Sequence, residues 1–108
     1  MDDDEILVVA VSGAVDISNS FHIAEAVLAD GANTTLGVIL DLSEAGYLDS
    51  AGVQLVIDLR RRLANRRQAL RLVVTQSSVV HEVLELTDIT ALTPVHGEVD
   101  EAVAAMLA

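Results

Sequence analysis

Residues 41–53 read DLSEAGYLDSAGV and connect an apolar segment to a helical one. The apolar segment runs from Leu36 to Leu42 and predicts a buried strand. Ser43 to Gly46 is interpreted as a polar loop. The helical segment begins near Ser50 and continues to about Arg66, and its apolar residues recur at helical spacing at Leu55, Val56, Leu59 and Leu63. A buried strand followed by an amphipathic helix is typical of an α/β fold.

The same alternation continues towards the N-terminus. Ile6 to Val11 is a continuous apolar run that predicts a strand, and Ser12-Gly13 is expected to end it. A helix is predicted from about Asp16 to Asp30. Asp16 or Ser18 is expected to cap its start, and Gly31 is expected to end it in the left-handed conformation that glycine adopts at low cost.

The alternation also continues towards the C-terminus. Leu70 to Thr75 predicts a third strand, and Ser77 or Ser78 is expected to cap the next helix, which carries Val79, Val80, Val83, Leu84 and Leu86. Ala91 to Val95 predicts a short strand at a sheet edge, because Pro94 has no N–H to donate. Glu98 to Leu107 predicts a last helix. This β-α-β-α-β-α-β-α order indicates one α/β domain over residues 1–108, with a largely parallel sheet.

The composition limits the class of protein. The chain has 108 residues, of which 52% are apolar, and Phe21 and Tyr47 are its only aromatic residues. The absence of cysteine excludes a disulfide framework and a thiolate metal site. The acidic N-terminus does not resemble a signal peptide, and no apolar run approaches the roughly 20 residues that span a bilayer. We therefore expect a cytoplasmic protein that does not insert into membranes.

The charge distribution is uneven. The net charge is −11, which argues against direct binding of DNA through its phosphates. All six cations are arginines between Arg60 and Arg71. They are typical of a solvated helix end, and a contact with an acidic partner is the alternative. The rest of the molecule is acidic and would attract a partner with a basic face.

The entry into the second helix, Asp49-Ser50-Ala51-Gly52, is the candidate functional site. A helix N-terminus presents unpaired N–H groups and about half a positive charge, so a phosphate on Ser50 would be tolerated there. The local chemistry also allows a simpler interpretation, in which Ser50 is an N-cap and the small residues after it permit close packing.

The sequence shows no motif for metal binding, catalysis or nucleotide binding. None of His22, His81 and His96 shares metal-ligand spacing with another histidine or a carboxylate cluster, so no metal is expected. A Gly-x-Ser-x-Gly motif, a P-loop and a dinucleotide fingerprint are all absent. We therefore expect a protein that is not an enzyme and that needs no cofactor.

Three motifs in order resemble the STAS domain family, in particular its bacterial anti-anti-sigma factors. The main one is Asp41-Leu42-Ser43, then Tyr47-Leu48, then Asp49-Ser50-Ala51-Gly52-Val53. Residues 12–16 (SGAVD) are similar to the turn after an early strand of the family, and residues 84–89 (LELTDI) to the end of its third helix. The resemblance covers almost the whole chain and implies a STAS-type, mostly parallel sheet of four to five strands with about four helices.

The resemblance also implies a function. Such a protein binds an anti-sigma factor that is a serine kinase with an ATP-binding fold, and thereby frees a sigma factor. The kinase then phosphorylates the serine, here Ser50, the complex separates, and a phosphatase resets the serine. By this resemblance the partner-binding residues are Asp16, Leu48, Asp49, Ser50, Ala51, Gly52 and Val53. Asp16, Asp41 and Asp49 are expected to form an acidic patch at one sheet end, which a phosphate would join.

Two departures from the family pattern are visible. Only Met1 to Glu5 precede Ile6, so the hairpin that usually opens the domain is expected to be short or missing, and Ala51 replaces a second hydroxyl. Two alternative functions remain open. One is a STAS subunit that docks on the ATPase of a lipid ABC transporter, and the other is a stress-signalling scaffold without a switch.

Overall fold

The computed structural model describes residues 5–108 and shows a four-stranded sheet in the order β1-β2-β3-β4. All three strand pairings are parallel. The elements are β1 (Ile6–Val15), α1 (Ser20–Asp30), β2 (Gly37–Leu48), α2 (Ser50–Asn65), β3 (Ala69–Val73), α3 (Val79–Leu86), α4 (Ile89–Leu92), β4 (Val95–His96) and α5 (Val99–Leu107). The predicted α/β class, the parallel four-stranded sheet and the approximate number of helices are confirmed.

Helices cover both faces of the sheet. The strands lie in the sheet in the same order as in the sequence. Because crossovers between parallel strands are right-handed, the helices that connect strands in this order lie on one face of the sheet. Leu40 and Leu72 accordingly share one core with residues of α1, α2, α3 and α4. Ile39 and Val73 point to the opposite face, where they pack against Ala102 and Met106 of α5.

The two longest strands extend beyond the rest of the sheet. Ser12-Gly13 does not end β1 and Ser43 to Gly46 is not a loop, so both predictions were wrong. The strands instead continue side by side up to the Val15–Leu48 pair, through two register shifts. Gly13 lies at one of these bulges with φ +79°, a conformation that favours glycine. This extension, residues 12–15 of β1 beside residues 44–48 of β2, is called the ribbon. The sequence does not reveal it because its exposed residues, apart from Tyr47, are small or polar.

The ribbon changes where the acidic residues lie. Asp41 pairs with Val73 in the body of the sheet, whereas Asp49 follows the end of β2. Asp49 is eight positions beyond Asp41, which at about 3.3 Å per residue corresponds to roughly 26 Å along an extended strand. The predicted acidic patch of Asp16, Asp41 and Asp49 is therefore wrong with respect to Asp41.

The first helix starts later than predicted. It begins at Ser20, its N-cap is Asn19, and no side chain caps it, so neither Asp16 nor Ser18 has the predicted role. Asp16 instead accepts hydrogen bonds from the backbone N–H and hydroxyl of Ser18. Asn19 Oδ1 accepts from Asp16 N–H, and its Nδ2 donates to Ala14. A polar turn therefore occupies the residues expected to form the first helical turn.

Gly31 ends α1 as predicted, but with φ −82° rather than in the left-handed conformation. It is buried at the start of a 3₁₀ turn, and a Cβ there would lie 3.0 Å from Val38 Cγ2. Close packing against β2 therefore explains this glycine better than its conformational freedom does.

The last strand is shorter than predicted. Ala91 and Leu92 belong to the short helix α4, and only Val95 and His96 form β4. The predicted position at a sheet edge next to Pro94 is confirmed. The other boundaries agree closely, and Ser78 caps α3 by accepting from His81 N–H. The expectation of a short or missing N-terminal hairpin falls mainly on residues 1–4, which lie outside the described part.

Candidate functional site

The start of α2 is organised by Asp49. Its backbone is extended, and its Oδ1 accepts hydrogen bonds from Ala51 N–H at 2.9 Å and Gly52 N–H at 3.0 Å. Asp49 is therefore the N-cap of α2, and the simpler interpretation of Ser50 as the cap is excluded. Two of the unpaired N–H groups of the helix start are already bonded to a carboxylate.

Ser50 is the first residue of α2 and is exposed. Within residues 5–108, its hydroxyl forms no hydrogen bond. Because Asp49 caps the helix, the Ser50 hydroxyl is not needed to satisfy the backbone. A modification of this hydroxyl would leave the hydrogen bonds that start the helix intact.

Two of the predicted partner-binding residues lie beneath this surface. Leu48 is only 1% exposed and belongs to the main core, and Gly52 is buried as well. A Cβ on Gly52 would lie 2.5 Å from Leu48 Cδ1 and 2.9 Å from Val15 O. The absence of a side chain at Gly52 therefore lets α2 start directly against the ribbon, and both residues support the site from below.

The other predicted residues are at least partly accessible. Asp49, Ala51 and Val53 are partly buried, and Val53 packs against the main core. Asp16 follows Val15, which pairs with Leu48 and accepts a hydrogen bond from Asp49 N–H at 3.2 Å. Asp16 and Asp49 thus both follow the end of the ribbon.

Asp16 is stabilised in its charged form. Hydrogen bonds from the hydroxyl and backbone N–H of Ser18 lower the pKa of the Asp16 carboxyl below its ordinary value of 3.8. The surface beside Ser50 therefore carries a carboxylate that is ionised at neutral pH.

Exposed apolar residues near this helix start were missed by the sequence reasoning. Phe21 is 66% exposed, Tyr47 50% and Ile17 83%. Phe21 lines a groove of about 290 Å³ between α1 and α2, together with Ala51, which directly follows Ser50. Phe21 is thus exposed beside the start of α2. Tyr47 lies three residues before Ser50 on β2, and because Leu48 points into the core, Tyr47 points to the other face of the strand. The rarity of aromatic residues in the sequence was the signal that could have identified them.

Other large apolar residues are also exposed. They are Val79, Leu86, Leu92 and Leu107, on α3, α4 and α5. They are aliphatic and lie on elements that do not contribute to the groove beside Ser50.

Several arginines stabilise the fold itself. Arg66 Nη1 donates to Leu28 O at 2.7 Å near the end of α1, and Arg60 Nε donates to Leu92 O at 2.9 Å at the end of α4. Arg61 pairs with Asp58 on its own helix. Cations at the carbonyl ends of helices also interact favourably with the helix dipole. Three of these arginines thus have partners within the fold, although their side chains are exposed.

The histidines form no shared site. His81 Nδ1 lies 3.4 Å from Glu85 Oε1 on the same helix, and His96 Nε2 lies 3.1 Å from Arg71 Nη1. In residues 5–108, no group of three or more histidine, aspartate or glutamate side chains is placed to hold a metal ion. Over the same residues, no helix has both the length and the apolar character needed to cross a membrane.

Comparisons with known proteins agree with this architecture. The family model of the STAS domain matches residues 2–102. An anti-sigma factor antagonist from Mycobacterium paratuberculosis superposes with a TM-score of 0.86 at 23% identity, covering 100% of this chain and 91% of that one. A protein from Thermotoga maritima gives 0.85 at 19% identity, with coverages of 100% and 91%. The antagonist SpoIIAA in its unphosphorylated form gives 0.70 at 18% identity, with coverages of 99% and 93%. No curated protein matches the chain in sequence.

Proposed function

Because this chain belongs to the STAS domain family, we propose that it is an anti-sigma factor antagonist whose binding is switched off by phosphorylation of Ser50. The unmodified protein binds an anti-sigma factor that has an ATP-binding fold and serine kinase activity, and this binding frees a sigma factor in the cytoplasm. The observation that carries the proposal is the exposed Ser50 hydroxyl, free of any capping role at the start of α2. The family membership and the antagonists among its structural relatives support it.

In the proposed docking surface, exposed apolar side chains provide the binding affinity and Ser50 provides the switch. Aromatic side chains dominate the binding energy of many interfaces because they bury a large area. Phe21 lines the groove that also contains Ala51, and it provides most of the affinity in this proposal. Ile17, exposed in the turn after β1, adds apolar area. Of the residues predicted from the sequence, Asp16, Asp49, Ala51 and Val53 contribute to the same surface, whereas Leu48 and Gly52 position it.

The arrangement of charges supports a repulsive switch. The kinase transfers the γ-phosphoryl group of ATP to Ser50 Oγ, and the hydroxyl proton is lost while ADP leaves. The phosphate adds a charge of about −1.5 to −2. Asp49 already occupies two N–H groups of the helix start, so the helix neutralises the phosphate incompletely. The added charge faces the partner beside Asp16 and Asp49, and each ~1.4 kcal/mol of repulsion or desolvation weakens binding tenfold.

Incubation with kinase-type anti-sigma factors and ATP, followed by mass spectrometry, tests the proposal. Phosphate on Ser50 that is lost from the Ser50→Ala variant, and removed by a cognate phosphatase, is the expected result. Ser43→Ala is the matched control, because Ser43 lies on β2 in the same motif but away from the helix start. Phosphate on other residues only, or on none with any candidate kinase, would refute the switch.

Co-purification distinguishes the alternative functions. Recovery of a soluble kinase-like anti-sigma factor supports the proposal. Recovery of a membrane ATPase complex would instead assign the chain to a lipid ABC transporter, and a large assembly insensitive to Ser50→Asp would indicate a stress-signalling scaffold. We propose a binding protein rather than an enzyme, without a cofactor, a metal or direct contact with DNA.

A further inference from the structure

Among residues 5–108, the outer edge of β1 has no charge, proline or covering segment to protect it, although a register shift interrupts its pairing with β2 after Ala10. β1 is the first strand of the sheet, and its ten residues, ILVVAVSGAV, contain neither a charge nor a proline. Exposed edges in soluble proteins are usually blunted by charges, proline or a covering segment, because their free N–H and C=O groups can pair with another chain. An uncharged edge strand of this length therefore calls for a physical explanation.

The hydrogen bonds identify which residues face outward. Glu5 O accepts from Leu36 N–H at 2.9 Å, so the carbonyl of Glu5 faces β2. Because the backbone groups of successive strand residues point to alternate sides, those of Val8 and Ala10 face away from the sheet. Neither residue has an outward backbone partner among residues 5–108. At the far end the edge is closed, because Asn19 Nδ2 donates to Ala14 O at 2.8 Å. The open part thus spans Val8 to Ser12.

A groove accompanies this open edge. It measures about 360 Å³ and lies between β1 and α1, and its lining includes Val9, Ala10, Val11, Ile23, Val27 and Asp30. Its walls are mostly apolar, and its one charged residue is Asp30. An added strand would therefore place alternate side chains against apolar surface while its backbone pairs with the edge.

The charges around the edge determine which segment fits. Glu5 precedes β1, Asp16 follows it and Asp30 lies in the groove, whereas every cation of the chain lies between Arg60 and Arg71. A second copy paired antiparallel about Ala10 would place Glu5 of each chain beside Asp16 of the other. Those like charges, added to a net charge of −11 on each copy, oppose self-association through this edge.

We propose that the edge from Val8 to Ser12 docks a short apolar strand of a partner protein that carries lysine or arginine at its ends. A strand of about five residues spans this edge, at about 3.3 Å per residue. The edge does not include Ser50, which lies at the start of α2, although Asp16 follows β1 and borders both sites. The protein would then bind one partner through the helix start and a basic extended segment through the sheet edge.

A pair of peptides tests this proposal on the full chain. The probe is the capped peptide Lys-Val-Thr-Val-Thr-Val-Lys, and the control has glutamate in place of both lysines. We expect the lysine peptide to bind at least tenfold more tightly in calorimetry. By NMR it should slow the hydrogen exchange of the Val8 and Ala10 amides. Equal affinity of the two peptides, or shifts confined to the start of α2, would overturn the proposal.

Three variants complete the test. Ala10→Pro removes an outward N–H without removing a hydrogen bond to β2, and it should weaken the lysine peptide at least tenfold. Asp30→Asn should weaken it and reduce its salt dependence, whereas Asp100→Asn on α5 should not. Ser50→Asp should leave the affinity for the lysine peptide unchanged. The proposal for the edge of β1 and the proposal for the Ser50 switch are therefore tested separately. A dimer in ultracentrifugation whose β1 amides are protected without peptide would assign the edge to a second copy and overturn the proposal.

Discussion

Replacing Gly52 with alanine should destabilise the protein and loosen the start of α2. The new Cβ would lie 2.5 Å from Leu48 Cδ1 and 2.9 Å from Val15 O. The Leu48 side chain could rotate away only if there were space around it, but it is 1% exposed and packed in the core. Val15 O is a backbone atom that accepts a hydrogen bond from Asp49 N–H, so it cannot move freely either. Neither neighbour can therefore yield without disturbing the core or the junction between β2 and α2.

The size of this effect follows from two opposing contributions. Overpacking of a tight site costs about 1–3 kcal/mol. Alanine gains up to about 1 kcal/mol over glycine in helix propensity, and less at a helix end. The net loss in free energy of unfolding is therefore about 1–2 kcal/mol. For a domain of this size each kcal/mol corresponds to about 4–8 °C in Tm.

Chemical denaturation with Gly46→Ala as the matched control measures this loss. Gly46 is exposed on β2, and a Cβ there would meet nothing within 4 Å, so this variant should equal the parent or exceed it slightly. If Gly52→Ala proves as stable as Gly46→Ala, the close approach of α2 to the ribbon is not what makes glycine necessary. Leu48 and Gly52 would then not be the residues that position the site.

The other predictions concern the site itself. Ser50→Asp should weaken binding of the anti-sigma factor at least tenfold in calorimetry with unchanged Tm, and unchanged affinity would end the charge-switch proposal. Phe21→Ala should also weaken binding about tenfold. Leu107→Ala, which truncates another exposed apolar side chain on α5, should not weaken it. If both variants weaken binding equally, the groove beside Ser50 is not part of the interface. Asp49→Ala should cost about 1 kcal/mol in denaturant unfolding through loss of the N-cap, and Asp49→Asn should restore most of it. An NMR titration should give the Asp16 carboxyl a pKa below its ordinary value of 3.8. Its contribution to the free energy of unfolding is then fully present above pH 3.8 and is lost as the pH falls through the lower pKa of the folded state. A pKa at or above 3.8 would contradict the hydrogen bonds from Ser18.

Local patterns predicted most of the architecture. The helical spacing of Leu55, Leu59 and Leu63 placed α2 almost to the residue, since a helix that buries one face must repeat that spacing. The alternation of strands and helices predicted the parallel sheet for a similar reason, because parallel neighbours need a long crossover. Ser50 was also chosen from sequence, by the small residues after it and by the resemblance to the STAS family.

Local sequence patterns could not predict which distant segments pair with each other. Ser43 to Gly46 looks like a loop because its residues are polar or small, and it becomes a strand only because residues 12–15 lie beside it. That extension removed Asp41 from the site and buried Leu48 beneath it. Asp16, which looked like a helix cap, became part of a turn held by Asn19.

The sequence by itself determined the succession of elements, the α/β class and the serine at the start of a helix, because each depends on residues close together in the chain. Only the tertiary structure decided that Asp49 rather than Ser50 caps that helix, that Phe21 borders the same surface, and that no backbone group among residues 5–108 pairs with Val8 and Ala10 on the outer edge of β1. These features depend on which groups meet across the fold and on which remain in contact with water. Neither follows from the order of residues along a single segment.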